Sequence, residues 1–271
     1  MLATNQDMQE LHKLVESAFN LDSLNIKEKC QSPGLSKNFR KPESEWTREE
    51  KAADDGIELT YHKLDDKRGY YSSTIPWKAY PPNLKNNLDS VIGRQKKTND
   101  SGFLEKKGTD ISKINSIFED HLAKNYIEEI TDPAEINRPD CHYIPYFPVV
   151  NLQKDTSKVR IVFDAAAINA KTKMSLNDTI NKTPNRLNPL EHILIRSRRF
   201  KYVVCADISE MFLQVRLDPR DRRYHRFWWN GRIYQWTRIL FGNRASPDIS
   251  QKVLQTHAVV MKDEFPMACK S

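Results

Sequence analysis

The segment from Tyr202 to Arg238 constrains the fold more than any other part of the sequence. It opens with YVVCADI, and an almost continuous apolar run of this length is typical of a strand buried on both faces. FLQVRL then alternates apolar and polar residues, as a half-buried strand does. RYHRFWW and RIYQWTR flank Asn230-Gly231, the residue pair that most strongly favours a tight β-hairpin. We therefore expect sheet structure here, within an α+β fold.

Helical patterns lie on both sides of this segment. Residues 8–19, 111–126 and 187–200 each place apolar side chains about one turn apart. Thr47 and Glu50 have the spacing of a capping box, which predicts a short helix from Arg48 to a stop at Gly56. Ser246-Pro247 combines N-cap and first-turn chemistry, which predicts another helix. The predicted inward side chains are Ile111, Ile114, Phe118 and Leu122, then Leu190, Ile193 and Leu194 with Arg196, Arg198 and Arg199 outward, and the last helix carries Ile249, Val253 and Leu254.

Strand and loop signals complete the outline of the chain. IELTYHKL and YYSSTIPW flank a short polar turn and predict a hairpin, while KVRIVFD at residues 158–164 is β-branched and strand-like. Residues 31–45 are predicted to be a linker, and residues 83–110 to be partly helical but loosely held. An extended path is predicted around Pro133, Pro139, Pro145 and Pro148. We divide the chain into a helical and linker region (1–56), a hairpin and connecting region (57–110) and a C-terminal domain (111–271).

The net charge of +7 is concentrated in one stretch of the chain. Residues 1–185 carry 27 Lys and Arg against 28 Asp and Glu, whereas residues 186–244 carry 13 against 5, and 12 of those 13 are Arg. Because the planar guanidinium suits phosphate recognition, an anionic polymer is one expected partner. A solvated arginine-rich surface explains the same charge equally well.

Several classes of protein are disfavoured. No apolar run approaches the roughly 18 residues that a membrane span needs, and the N-terminus lacks a secretory signal pattern, so an intracellular protein, cytoplasmic or nuclear, is expected. The four cysteines are far apart and match no zinc spacing, and the seven histidines form no ligand pattern. No phosphate-loop glycine pattern, HExxH motif or nucleophile elbow occurs.

Asp207 is the strongest candidate for chemistry. It follows the five residues Tyr202 to Ala206 of the predicted buried strand. Desolvating an unpaired carboxylate is costly, so an aspartate at this place needs a cation, an arginine partner or a strand end that faces a cleft. The local sequence favours equally an aspartate that caps the turn at Ser209-Glu210.

Other residues extend this candidate site, each with a plainer alternative. Phe212 could form the wall of a pocket, or simply belong to the core. Lys158 and Arg160 alternate on one strand face, where they could hold a triphosphate or be solvated. Gly242, in LFGNRASP, permits either a close backbone approach to a ligand or an ordinary turn.

Three blocks together resemble the reverse transcriptase of long-terminal-repeat retrotransposons, most closely the BEL/Pao group. YIPYFPVVNLQKDTSKVRIVFDAAA is similar to the fingers segment, VVCADISEMFLQVRL to the palm strand with the first catalytic aspartate, and ILFGNRASPDISQ to the glycine and serine-proline segment that follows. Their order and spacing also fit. The resemblance covers residue 57 to the C-terminus and is strong from Tyr143 onward. It implies the truncated fingers and palm of a right-hand polymerase, with a helical and irregular N-terminal region.

The resemblance also implies roles for the candidate residues. Asp207 would be catalytic and would hold the Mg²⁺ ions of two-metal nucleotidyl transfer, which bridge the deoxynucleoside triphosphate and the primer hydroxyl. Phe212 would exclude a 2′ hydroxyl. The implied nucleotide-binding residues are Lys154, Lys158, Arg160, Phe212, Phe241 and Gly242.

Two departures from the family pattern limit the expected function. Gln153 stands where a lysine often precedes the fingers strand. The paired aspartates of the next motif have no counterpart after Met261, where Asp263 and Glu264 lie on the wrong side of the expected spacing. Because one aspartate cannot hold two Mg²⁺ ions, we expect a fragment of an RNA-directed DNA polymerase, with primer-template as its partner, that is inactive as this chain. The alternative is a non-catalytic nucleic-acid- or partner-binding protein derived from a retroelement.

Overall fold

The computed structural model describes residues 42–64, 69–151, 159–198, 207–261 and 263. Contacts divide the chain into two units. The main unit comprises Thr47–Pro184 and Glu210–Ser250, and the minor unit comprises Met1–Trp46, Asn185–Ser209 and Gln251–Ser271. The segment boundaries drawn from composition, at 56/57 and 110/111, stay predictions.

The helices and strands of the described residues follow one another along the chain in mixed order. The helices are α1 (Arg48–Asp55), α2 (Leu88–Thr98), α3 (Ser101–Lys106), α4 (Ile111–Ala123), α5 (Pro133–Ile136), α6 (Leu190–Ser197), α7 (Pro219–Arg222) and α8 (Ser246–Val260). The strands are β1 (Leu59–Lys63), β2 (Gly69–Ser73), β3 (Ile127–Ile130), β4 (Tyr146–Val150), β5 (Val159–Phe163), β6 (Arg216–Leu217), β7 (Arg226–Trp229) and β8 (Arg232–Trp236). Short 3₁₀ helices span Glu43–Glu45, Asn177–Thr179 and Met211–Gln214.

The strands of the main unit form three small sheets. In the first, β1 pairs antiparallel with β2, and β2 pairs in parallel with β6. In the second, β8 lies between β3 and β7, and both pairings are antiparallel. The third is the antiparallel pair of β4 and β5. This mixture of helices with mainly antiparallel sheets confirms the predicted mixed α and β composition.

An aromatic cluster between these sheets forms the core of the main unit. Phe118 of α4 is fully buried, and its ring lies 4.9 Å from Tyr146 of β4, 5.3 Å from Phe227 and 5.0 Å from Trp229 of β7. Phe163 of β5 joins the same cluster, 5.1 Å from Phe227. Such ring pairs contribute about 0.5–1.5 kcal/mol each beyond area burial. The cluster therefore ties α4 to the β4–β5 hairpin and to the β7–β8 sheet.

Buried amides attach α2 to the chain ahead of β4. The side chain of Asn87 donates to the Tyr143 carbonyl at 2.9 Å and accepts from the Tyr143 amide at 2.8 Å, as a neighbouring strand would. The fully buried Gln95 accepts from the amide of Tyr146 at 3.2 Å. The prediction that residues 83–110 are loosely held is therefore wrong, because polar side chains anchor them where composition suggested only solvent exposure.

Several local predictions are confirmed. The capping box of Thr47 and Glu50 starts α1, which ends at Gly56. Strands β1 and β2 form the predicted hairpin, and β5 is the predicted strand of the 158–164 block. Asn230 and Gly231 both have positive φ, 47° and 80°, which matches the twist of the β7–β8 turn.

Other local predictions are wrong for identifiable reasons. Phe212 to Gln214 form part of a 3₁₀ helix, because Glu210 at φ 52° reverses the chain and its carbonyl accepts from Leu213 at 2.7 Å. Pro133 starts α5 instead of an extended path, since the side chain of Asp132 caps that helix and proline fits its first turn.

The inward faces predicted for two helices are also partly wrong. In α4, Ile114 and Phe118 are buried, but Ile111 and Leu122 at its two ends are partly exposed. In α6, Leu190, Ile193 and Leu194 are each about half exposed or more. Periodicity identifies which side of a helix is apolar, whereas burial depends on what packs against that side.

Some predictions fall outside the described residues. These are the helix at 8–19, most of the 31–45 linker and the strand Tyr202–Ala206. In the described part of the chain, no helix combines the length and the apolar character that crossing a membrane requires.

Candidate nucleotide site

Gly242 brings the loop after β8 against the end of β5. Its φ of +105° lies in the region that favours glycine, and a Cβ there would stand 2.3 Å from the carbonyl oxygen of Phe163. Only a residue without a side chain permits this approach. Gly242 lies in a turn and approaches the backbone of β5 in the same unit, and its close approach to a ligand stays a prediction.

Phe241, the residue before Gly242 in the chain, contacts the ring of Phe212. Their rings stack with centroids 5.8 Å apart and an interplanar angle of 30°. Phe212 is half-buried on the 3₁₀ helix, whereas Phe241 is 64% exposed. The pair therefore forms an aromatic wall with an open edge, and Phe212 is not a plain core residue.

Asn177 holds the loop that carries Phe241 and Gly242. Its side-chain amide donates to the Gly242 carbonyl at 3.1 Å and accepts from the Arg244 amide at 2.9 Å. The Arg244 guanidinium in turn donates to the Asn177 carbonyl at 3.2 Å. No motif in the sequence pointed to Asn177, which lies about 65 residues away in the chain.

A buried histidine supports the same loop from inside. Nδ1 of His225 lies 2.9 Å from the Asp221 carbonyl, which can only accept, so Nδ1 carries the proton. Nε2 is then the acceptor for Nδ2 of Asn243, at 3.1 Å. Burial lowers the pKa of His225 to about 4, which keeps this neutral tautomer in place at neutral pH.

Asp221 of α7 fixes the other side of His225. Its two carboxylate oxygens accept from the amide of Ile75 and from the indole Nε1 of Trp77, each at 2.8 Å. Burial raises the pKa of Asp221. The loop after β8 is thereby connected through His225 and α7 to the chain that follows β2.

Asp207 is exposed and belongs to the minor unit.

In the main unit, Glu210 accepts from Lys124 at 3.0 Å and from the Tyr126 hydroxyl at 2.8 Å. Burial alone would raise the pKa of Glu210, but these two hydrogen bonds leave it lowered. Glu210 is therefore committed to anchoring its own turn.

Of the three predicted cationic residues, the structure describes Arg160. Arg160 is exposed on β5, opposite Val149 of β4. Lys154 and Lys158 lie outside the described residues. The exposure of Arg160 is compatible with a phosphate contact, and equally with a solvated strand face.

Within the described ranges, no group of three or more His, Cys, Asp or Glu side chains could hold a metal ion. Mg²⁺ requires several oxygen ligands in nearly octahedral order. Asp207 belongs to no such group in the described part of the chain, and its role as a metal ligand stays a prediction.

Much of the arginine excess is neutralised within the main unit. Arg226 is buried and pairs with Glu135 at 2.8 Å, while Arg222 pairs with Glu128 at 3.1 Å. The cationic segment is therefore neither purely a solvated surface nor purely an anion-binding one.

One family model matches a C-terminal part of the chain. Residues 152–265 match the family model described as reverse transcriptase (RNA-dependent DNA polymerase). This segment is similar to reverse transcriptases. We call residues 152–265 the reverse transcriptase segment. It spans about two fifths of the chain and includes all seven candidate residues, from Lys154 to Gly242.

Other comparisons add less. No curated protein matches the chain. Among solved structures, a foamy viral protease-reverse transcriptase in complex with double-stranded DNA is 19% identical, with a TM-score of 0.37. The alignment covers 55% of this chain and 22% of that chain, so the chain spans about a fifth of the viral protein's length.

Proposed function

We propose that this chain is a fingers and palm fragment of an RNA-directed DNA polymerase that binds primer-template and deoxynucleoside triphosphates. The family match at residues 152–265 is the observation that carries this proposal. The three sequence blocks further support a retrotransposon polyprotein of the BEL/Pao group, and we propose that it acts inside the cell.

We propose that the aromatic wall formed by Phe212 and Phe241 lines one side of the nucleotide pocket. Phe241 is exposed on a loop that Asn177 and Asn243 hold in place, so its ring is available to stack against a ligand. Phe212 stands beside it and would limit the space next to the sugar. The resemblance of the sequence blocks, and not the geometry, assigns Arg160, Lys154 and Lys158 to the triphosphate and Asp207 to Mg²⁺.

We further infer that these 271 residues do not polymerise DNA on their own. In-line nucleotidyl transfer uses two metal ions that clamp the attacking and leaving oxygens. Asp207 is the one carboxylate that the sequence blocks assign to this task. Primer extension with Mg²⁺ tests the inference directly, and any templated product from this chain would contradict it.

Removal of the exposed ring tests the nucleotide pocket. Burying a phenylalanine side chain is worth about 1.5–3 kcal/mol, so Phe241→Ala should weaken binding of a fluorescent deoxynucleoside triphosphate by about tenfold to a hundredfold. Phe103→Ala is the matched control, because Phe103 is also a partly exposed ring and lies on α3, outside the reverse transcriptase segment. Equal losses in the two variants would contradict the proposed pocket.

The second candidate function is nucleic-acid binding without a nucleotide pocket. The arginine content of residues 186–244 favours it. Binding of a labelled primer-template that persists in a chain unable to bind nucleotides would select this alternative.

A further inference from the structure

Arg216 and Arg238 form a pair of like charges in the main unit. Arg216 lies on β6 and Arg238 follows β8, and the two residues face each other in an antiparallel bridge. Like charges directly opposite each other in such a pair are destabilising. Burial, followed by the charge of Arg216, lowers the pKa of Arg238.

Among the described residues, no carboxylate forms an ion pair with either guanidinium. The nearby acidic groups are engaged elsewhere, since Glu128 pairs with Arg222 at 3.1 Å and Glu210 with Lys124 at 3.0 Å. The Nε atoms of both arginines are buried without a hydrogen-bond partner. The pair therefore keeps a positive charge that the described part of the chain does not neutralise.

Aromatic rings hold the two guanidinium groups in place. Cζ of Arg216 lies 3.5 Å from the ring centroid of Tyr70, and Tyr70 itself stacks on His62 at 4.7 Å. Cζ of Arg238 lies 5.6 Å from the ring centroid of Tyr126. Both arginines are half-buried, so part of each side chain is open to solvent.

We propose that Arg216 and Arg238 form an anion site that binds a backbone phosphate of a nucleic acid. Two guanidinium groups held near aromatic rings present several donors, and a phosphate offers the complementary charge and acceptor oxygens. The bound anion would remove the repulsion between the two arginines. The choice of nucleic acid as the source of the phosphate rests on the proposed function, whereas the anion site itself does not.

Salt-dependent binding of a short fluorescein-labelled DNA duplex tests this site. The logarithm of affinity falls with the logarithm of salt concentration with a slope of about 0.9 for each phosphate neutralised. We expect Arg216→Gln and Arg238→Gln each to reduce that slope by about one unit. Arg232→Gln is the charge-matched control, because Arg232 is exposed, lies on β8 and pairs with Glu129 at 3.2 Å.

A second measurement separates the anion site from nucleic-acid binding. Inorganic phosphate, compared with chloride at equal ionic strength, should raise the Tm of the unchanged chain and of Arg232→Gln more than that of Arg216→Gln or Arg238→Gln. Equal slopes in all three variants, while the duplex still binds, would overturn the assignment to backbone phosphate. If the duplex does not bind at all, the proposed function fails, and equal phosphate effects on Tm would then overturn the anion site as well.

Discussion

Substitution of Gly242 by alanine tests the geometry of the candidate site most sharply. A Cβ at this position would lie 2.3 Å from the carbonyl oxygen of Phe163, whereas ordinary contact begins at 3.4 Å, so the loop or β5 must retreat by about 1 Å. Overpacking of this kind costs about 1–3 kcal/mol. The φ of +105° adds about 1–3 kcal/mol for any residue other than glycine.

The loop cannot relax freely, because Asn177 bonds to the Gly242 carbonyl and Asn243 bonds to His225. The smaller conformational freedom of alanine in the unfolded chain returns about 0.4–1 kcal/mol. We therefore expect Gly242→Ala to lower the free energy of unfolding of the main unit by about 1–5 kcal/mol, against the roughly 5–15 kcal/mol of a typical domain.

Two other glycines supply matched controls. Gly231 has a φ of +80° but open space where a Cβ would stand, so Gly231→Ala should show only the backbone cost of about 1–2 kcal/mol. Gly93 lies within α2 with nothing near the position of a Cβ, so Gly93→Ala should stabilise by about 0.5–1 kcal/mol.

Urea unfolding monitored by tryptophan fluorescence measures all three variants. Trp77, Trp228, Trp229 and Trp236 all belong to the main unit and report on its transition. A cost for Gly242→Ala no greater than that for Gly231→Ala would refute the expected clash, because the contact with Phe163 would then contribute nothing.

Three further predictions concern buried polar groups. The pKa of His225 is lowered from 6.5 to about 4, so the unfolded chain takes up a proton first and the free energy of unfolding falls as pH drops between these values, by about 1.4 kcal/mol per pH unit. In a series of urea unfolding experiments at different pH, His225→Phe should reduce the slope of the unfolding free energy against pH by the contribution of one proton. The raised pKa of Asp221 acts in the opposite direction, but it is common to both proteins. An unchanged slope would show that His225 is not buried as a neutral group. Arg226→Met removes the hydrogen bonds of a buried guanidinium to Glu135 and should cost about 1–3 kcal/mol, while Glu135 keeps its pair with Arg138. Arg232→Met breaks an exposed pair and should cost at most about 1 kcal/mol. Equal losses on unfolding would contradict the difference in burial between the two arginines. Asn177→Ala should destabilise the main unit by about 1–3 kcal/mol through its lost bonds to the loop, and a thermal unfolding midpoint equal to that of the unchanged chain would be inconsistent with that support.

Local signals in the sequence predicted much of the secondary structure. The Asn230-Gly231 turn and the Thr47 capping box are specified by residues close in the chain, and both are confirmed. The 3₁₀ helix at Phe212 escaped prediction, because the alternation of FLQVRL looks like a strand until the left-handed Glu210 is known.

Long-range contacts explain why the site could be predicted only in part. The block LFGNRASP indicated Gly242 as a special position, but not that Phe163 is its neighbour. Asn177 and His225 support the loop through hydrogen bonds from distant parts of the chain, and neither belongs to a motif. Asp207 stays a predicted metal ligand, because it belongs to no group of three or more potential metal ligands among the described residues.

Binding of a labelled primer-template across a range of salt concentrations tests the central claim most directly. If the chain is a fingers and palm fragment, the logarithm of the affinity should fall linearly with the logarithm of the salt concentration between about 50 and about 200 mM. The slope should correspond to several phosphate contacts, at about 0.9 for each phosphate neutralised. An affinity that does not change with salt, or no binding even at the lowest concentration, would contradict the account.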